Sequence, residues 1–239
     1  MKILRISSGM PVAVLGLCLA WSPNLAASML VHTFLFNNSL ADGTGSATMT
    51  ANGGSLTATQ YVFGANQGLT LTGAANSLSD YSIEMEFNLA TVSGFNKILD
   101  FKNLTSDRGL YVAFGGIRFF DLATGGSIAA NTPVRVVLTR TGATDELRVF
   151  VNGATAFTVA DPLGRGIFTG PLQFFRDDNG GSEASAGAVD LIRVYNGALT
   201  AAEVESLTSP GPSEVPEPAT LAITGLGLAS LAMLKKRQG

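Results

Sequence analysis

Arg176-Asp177-Asp178-Asn179-Gly180-Gly181-Ser182-Glu183 is the best candidate for a chemical site in this chain. Carboxylate and amide oxygens on a glycine-permitted bend are the hard donors that Ca2+ takes, so Asp177, Asp178 and Asn179 are candidate ligands for a calcium ion. Their spacing is not that of a complete EF-hand loop, and a plain solvated loop is the simpler role. Glu84 and Glu86 stand two apart, on one face of any strand, where two carboxylates could flank a glycosidic bond. A wetted strand face explains them as simply. His32 is the only histidine. A histidine-centred triad therefore has one member and no obvious partner, and a zinc site of His and Cys ligands is excluded by count. For sugar binding the residues to look for are exposed aromatics beside polar groups. Phe95, in Ser93-Gly94-Phe95-Asn96, and Phe168 sit in such loop-like contexts, although core anchoring is the commoner use. No catalytic residue is assigned, and the sequence does not name a ligand.

The two ends of the chain say where these residues work. Lys2 and Arg5 precede an apolar stretch from Met10 to Trp21, and small residues follow at Ala26, Ala27 and Ser28. This is the layout of a secretory signal peptide, residues 1–27, with cleavage expected after Ala27. The single cysteine, Cys18, and the single tryptophan, Trp21, would leave with it. The exported chain then has neither thiol chemistry nor disulfides, and a domain of this length can bury a sufficient core without them. At the other end Val215-Pro216-Glu217-Pro218 precedes 16 uncharged residues, 219–234, and then Lys235, Lys236 and Arg237. As a helix those 16 residues span about 24 Å, short of the ~30 Å hydrocarbon core of a bilayer. The basic foot favours the cytoplasmic side. Residues 219–239 therefore predict a transient membrane anchor, and 209–218, rich in Pro and Ser, a linker that cannot pack.

Between the ends lie ten basic and 18 acidic residues, a net charge of −8. Nucleic-acid phosphates want a basic face, so a nucleic-acid partner is excluded. Neutral glycans and divalent cations remain compatible with this charge.

Residues 28–208 read as many short strands separated by Gly, Asn, Asp and Ser. Expected strands are 29–36, 46–51, 55–59, 68–73, 81–89, 97–101, 109–114, 117–121, 134–141, 146–152, 155–160, 172–175 and 188–195. Evenly spaced strands with turn residues between them predict an all-β antiparallel sandwich or barrel. Alternation assigns the faces: Ile83, Met85 and Phe87, then Val134, Val136 and Leu138, then Leu147, Val149 and Val151 point inward. Val137 and Phe150 are apolar exceptions on the wetter side. Tight hairpins are expected at Gly115-Gly116 and Asn152-Gly153. Thr200-Ala201-Ala202-Glu203 is a capping box and predicts one short closing helix.

Two resemblances follow from these residues. The Pro-Glu-Pro stretch, the apolar segment and the basic cluster, in that order, resemble the PEP-CTERM sorting signal. That implies an exosortase-type membrane protease as partner, which would remove or exchange the tail at the cell surface or in extracellular polymer. Gly187-Ala188-Val189-Asp190-Leu191-Ile192-Arg193-Val194-Tyr195-Asn196-Gly197-Ala198-Leu199-Thr200 with Ala202-Glu203-Val204 resembles the closing strand and helix of laminin-G-like, concanavalin A-type jelly rolls. Leu147-Arg148-Val149-Phe150-Val151-Asn152-Gly153 and Phe36-Asn37-Asn38-Ser39-Leu40-Ala41-Asp42 are similar to earlier pieces of that fold. Thr132-Pro133 stands where such domains often carry a tryptophan. The resemblance implies a jelly-roll sandwich over 28–208, with Asp42 or Asp190 as a further candidate for a structural ion. Jelly-roll glycosidases carry a third carboxylate beyond the pair, and it is missing after Glu86.

The expectation is an exported, non-catalytic surface or matrix protein with a lectin-like binding or scaffolding domain. Extracellular polysaccharide is its expected partner, and Ca2+ the only cofactor suggested. The alternatives are a polysaccharide-cleaving enzyme using Glu84 and Glu86, or a purely structural adhesive. Protein recovered from cells should show an intact mass lacking residues 1–27 and the tail beyond the Pro-Glu-Pro region. A mass that retains the final lysines, in protein held inside the cell, would refute the export reading.

Overall fold

Strand alternation becomes two antiparallel sheets packed face to face. The computed structural model describes residues 28–74, 79–168, 170–178 and 181–208. The expected signal peptide, Asn179, the linker, the sorting motif at 215–218, the hydrophobic helix and the basic tail at 235–237 lie outside the described residues. One sheet runs β13 (Ala154–Ala160), β12 (Glu146–Val151), β11 (Val134–Thr141), β6 (Tyr81–Leu89), β15 (Gly187–Asn196), β4 (Tyr61–Phe63) and β3 (Ser55–Leu56), and β1 (Met29–Phe34) also pairs with β15. The other runs β10 (Ala123–Gly125), β9 (Gly116–Phe120), β8 (Gly109–Ala113), β7 (Phe95–Asp100), β14 (Leu172–Phe174), β5 (Leu69–Thr72) and β2 (Thr48–Ala51). This is a jelly-roll-like β-sandwich closed by a single short helix among the described residues, α1 (Ala201–Thr208).

The core lies between the sheets and is rich in phenylalanine. Phe34, Phe87, Phe101, Phe119 and Phe174 are fully buried, interleaved with Ile83, Met85, Val136, Leu138, Val149 and Ile192. Each such side chain contributes roughly 1.5–3 kcal/mol on leaving water. The inward residues expected from alternation on β6, β11 and β12 all lie in this cluster.

The two exceptions have a cover of their own. Val137 and Phe150 form a second cluster with Tyr195, Leu199 and Val204, and Leu207 packs against it. Helix α1 therefore lies on the outer face of the eight-stranded sheet. Its start is held by the expected capping box: Thr200 N donates to Glu203 Oε2 at 2.7 Å, and Glu203 N donates to Thr200 Oγ1 at 3.3 Å.

Three local expectations need correction. The β8–β9 turn is centred on Phe114 (φ 53°) and Gly115 (φ 77°), with Ala113 opposite Gly116. The Gly-Gly pair thus sits one residue later than the turn requires, and Phe114 takes the left-handed position. The Asn152-Gly153 turn is as expected, with φ of 49° and 84°. Strands β4 and β10, three residues each, were too short to show any alternation. Finally, β7 begins at Phe95 and is bulged: its register with β8 shifts between Lys97 and Leu99.

Phe150→Ala should cost about 3–5 kcal/mol, because it empties the cluster under α1. The urea midpoint should fall at unchanged slope. A loss below about 1 kcal/mol would show that α1 is not packed on the sheet in solution.

Candidate functional site

The bulge in β7 decides the chemistry of the seven-stranded sheet's outer face. In a regular strand, residues 97 and 100 would face opposite ways. The extra residue lets Ile98 and Leu99 both enter the core and turns Lys97 and Asp100 to the same side. The Lys97 side chain is fully buried there. Its ammonium donates to Asp178 Oδ1 at 2.7 Å, to Asp100 Oδ2 at 3.3 Å and to the Ser106 carbonyl at 3.3 Å, with Asp177 Oδ1 at 3.7 Å. The Lys97 backbone N–H donates to the Glu183 carbonyl at 2.8 Å. One residue thus ties the loop after β7 to the loop after β14.

This is where two of the expected calcium ligands have gone. Asp177 and Asp178 converge on an ammonium group, and Asp177 is further held by the Asp178 and Glu183 amides. Burial pushes the Asp177 carboxyl up, and its hydrogen bond with Asp178 adds to this. Burial would also raise Asp178, but the Lys97 ammonium outweighs it and holds that carboxyl below the usual range. Among the described residues no group of three or more His, Cys, Asp or Glu is arranged to hold a metal ion.

Beside this hub is a cleft of about 200 Å3 lined by Phe95, Asp107, Tyr111, Phe120 and Glu183. Phe95, Tyr111 and Phe120 come from three neighbouring strands, β7, β8 and β9. Their rings stand edge to face, with centroids 6.0, 6.1 and 6.2 Å apart. Phe114, 73% exposed, extends the row at 5.4 Å from Phe95. Arg118 lies over Phe95 and Phe120, its Cζ 5.5 and 5.8 Å from their centroids, and Lys97 Nζ is 5.3 Å from the Tyr111 centroid. Burial raises the Glu183 carboxyl above its ordinary value, and the charges of Asp177 and Asp107 raise it further. The Tyr111 hydroxyl, which donates to the Asp107 carbonyl at 2.8 Å, is pushed far up by burial and then by Glu183, Asp107, Asp178 and Asp177. An aromatic wall and a negative rim therefore share one small concavity.

The remaining candidates are engaged elsewhere. Glu84 is fully buried on the opposite sheet: Tyr195 donates to its Oε2 at 2.8 Å, with Arg193 at 3.4 Å, and Arg135 Nε lies 3.5 Å from its Oε1. Arg135 also bonds Glu86 at 2.8 Å, and Glu86 remains partly exposed. Asp42 faces His32 Nδ1 at 2.6 Å and accepts the backbone amides of Thr33, Thr44, Gly45 and Ala47. Burial opposes ionisation of Asp42, but those amides and His32 hold its carboxyl well below the usual range. Asp190 occupies a register shift in β15, where burial and then Glu86 raise its carboxyl. Phe168 is buried against Tyr81 at 5.1 Å. A larger, shallower cavity of about 710 Å3 lies beside the start of α1, lined by residues that include Met29, Asp80, Glu146, Arg148 and Leu199. Its lining carries no aromatic ring and Glu146 and Arg148 satisfy each other there at 2.7 Å, so the smaller cleft is the better candidate.

The chain matches the concanavalin A-like lectin/glucanases superfamily over residues 63–205, more than half its length. The chain belongs to that superfamily. Among solved structures, this concanavalin A-like chain is similar to domain 4 of AbnA, a GH43 extracellular arabinanase from Geobacillus stearothermophilus, in complex with arabinotriose. The TM-score is 0.58 at 18% identity, covering 77% of this chain and 100% of that one. It is also similar to Trypanosoma rangeli sialidase in complex with 2,3-difluorosialic acid, with a TM-score of 0.59 at 15% identity, covering 75% of this chain and 32% of that one. The botulinum neurotoxin serotype D binding domain gives 0.57 at 10% identity, covering 75% and 51%. The chain thus spans about a third of the sialidase and half of the toxin domain. At these identities the likeness is one of fold. The chain matches no curated protein.

The sequence marks Phe95 as a loop aromatic and Asp177 and Asp178 as expected calcium ligands in this concanavalin A-like domain, and gives no role to Lys97, Asp100, Asp107, Tyr111 and Phe120. The signal for the first two was present in Lys97-Ile98-Leu99-Asp100, where opposite charges three apart bracket two apolar residues. Glu183 supplies a pH test. Its folded-state carboxyl is raised above the ordinary 4.5, so at higher pH the folded protein carries a charge it disfavours. Glu183→Gln should therefore raise Tm at pH 7. The gain should shrink as pH falls through the raised pKa and vanish below about 4.5, where both folded and unfolded carboxyls are protonated. A Tm gain that persists unchanged at pH 4 would contradict this.

Proposed function

We propose that this chain is an exported, non-catalytic surface or matrix protein whose sandwich is a lectin-like module for extracellular polysaccharide. The observation that carries this reading is the cleft of Phe95, Tyr111 and Phe120 with Asp107 and Glu183 at its rim. An aromatic face offers an apolar platform to the C–H side of a sugar ring, while carboxylates accept its hydroxyl hydrogens. Membership of a lectin and glucanase superfamily supports it. So do two structures of like fold that hold sugar ligands, an arabinotriose complex and a 2,3-difluorosialic acid complex. The non-catalytic part draws support from Glu84, whose carboxylate is fully buried among Arg135, Arg193 and Tyr195. Among the described residues no helix is long and apolar enough to cross a membrane. Export and sorting by an exosortase-type protease rest on the sequence alone: residues 1–27, Val215-Pro216-Glu217-Pro218, and the basic tail.

A glycan array probed with the full chain in neutral detergent tests the binding function. Oligosaccharide hits are expected, and Phe120→Ala should weaken them at least about tenfold by removing one wall of the cleft. An array without hits, both with and without Ca2+, would overturn the lectin reading in favour of a structural adhesive.

A further inference from the structure

The Lys97 cluster holds an amine and a carboxyl in contact and keeps water away from both. Lys97 and Asp178 are 81 positions apart in sequence, yet Nζ lies 2.7 Å from Asp178 Oδ1. The side chains of Lys97, Asp100 and Asp177 are 0% exposed and that of Asp178 is 8% exposed. The buried Tyr111 ring, 5.3 Å from Nζ, closes another side. A primary amine and a carboxyl are the two halves of an amide. Free in water they do not condense, but fixed in contact they react as one molecule. Well-oriented groups reach effective molarities of roughly 10⁵–10⁸ M.

The other two carboxylates are tied differently. Asp100 Oδ1 accepts the Lys102 and Leu104 amides, both at 2.9 Å, and its Oδ2 faces the ammonium at 3.3 Å. Asp177 accepts the Asp178 amide on Oδ1 at 2.9 Å and the Glu183 amide on Oδ2 at 3.2 Å. Its Oδ1 is 3.7 Å from Nζ, so Asp178 is the nearest carboxyl of the three. Asp100 is the next nearest, placed to take a proton from the nitrogen as Asp178 is placed to be attacked by it.

We propose that Lys97 and Asp178 join in an intramolecular amide bond, Nζ to Cγ, with Asp100 as the proton relay. The ammonium passes one proton to Asp100 Oδ2, and the freed lone pair attacks Asp178 Cγ. The N–C bond forms and one C–O bond of the carboxylate breaks. The departing oxygen takes the proton held by Asp100 and a second from the nitrogen, and leaves as water. One ammonium and one carboxylate become one amide and one water, with no oxidant, reductant or cofactor consumed. Two buried charges are replaced by a neutral group, whose burial costs far less. Asp100 and Asp177 keep the backbone amides that hold them. The bond joins β7 to the loop after β14, and closing so long a loop restrains the unfolded chain as a disulfide would.

Peptide mass spectrometry of the full chain, denatured and digested, tests this. The expected product is a branched peptide that joins the Lys97 segment to the Asp178 segment. It should be lighter than the two together by one water. Lys97→Arg keeps the positive charge but has no amine to offer, and should lose the branch. Asp100→Asn should lower the branched fraction at least about tenfold while the far-UV circular dichroism stays native. If Asp100→Asn disturbs folding, the digest of the unaltered chain decides alone. Separate, unmodified Lys97 and Asp178 peptides from the folded chain would overturn the proposal. So would a water loss confined to the Asp178 peptide, which marks a cyclic imide, or a branch from Lys97 to Asp100 or Asp177. An Asp100→Asn chain branched as fully as the unaltered one would remove Asp100 as the relay.

Discussion

A buried ammonium organises the outer side of the seven-stranded sheet. Taking Lys97 out of water is costly unless carboxylates and carbonyls surround it, and Asp100, Asp178, Asp177 and the Ser106 carbonyl do so. Asp100 ends β7 and Ser106 lies in the loop after it, while Asp177 and Asp178 come from the loop after β14. Satisfying the one charge therefore fixes both loops, and the loops carry Asp107 and Glu183 to the cleft. Breaking a buried pair by removing one partner typically costs about 3–5 kcal/mol, because the charges left behind stay buried. The cleft's rim is thus as rigid as the ion cluster beneath it.

Arg140 repeats the device at another end of the sandwich. It is fully buried and donates to Asp161 at 3.1 Å, Asp145 at 2.8 Å and the Ser79 carbonyl at 3.0 Å. Asp161 in turn collects the amides of Arg165 and Gly166 at 2.7 and 3.0 Å. A third hub, Asp42, gathers four amides and His32 between β1 and β2. Cys18 is the only cysteine in the sequence, so the domain has no disulfide to staple its loops. Single buried charges with several partners take that part, and they do so with geometric specificity that apolar packing alone would not give.

Much of the sandwich was legible because alternation is a direct consequence of the pleat. Strands β6 and β11 lie at the expected residues, their inward faces are as assigned, and the capping box at Thr200 starts the helix it announced. What stayed hidden depends on residues distant in sequence. Val137 and Phe150 looked exposed on their own strands; only the arrival of α1, some fifty residues later, makes a core around them. Glu84 looked like a solvated partner of Glu86, yet Tyr195 and two arginines from neighbouring strands enclose it. The site was hidden for a sharper reason. Reading faces by parity puts Lys97 and Asp100 on opposite sides, and the one-residue bulge reverses that parity. Phe120 and Tyr111 carry no sequence mark of function at all, since an aromatic on a strand serves a core as readily as a surface, as the adjacent Phe119 does.

The two outer faces then divide the work. On the eight-stranded sheet, α1 covers one part, and the Glu84, Glu86, Arg135 and Arg193 network neutralises another. Charges there meet opposite charges on adjacent strands, so that face has little left to offer a ligand. On the seven-stranded sheet no helix lies across β7, β8 and β9 among the described residues, and the carboxylates outnumber the cations near them. Aromatic rings that would otherwise belong in a core sit at the surface beside that imbalance, Phe114 at 73% exposure among them. Exposed rings are unfavourable for an isolated domain, and a bound molecule with an apolar side would relieve that. The asymmetry between the faces, more than the fold itself, is what makes the Phe95–Tyr111–Phe120 cleft the place to look for a ligand.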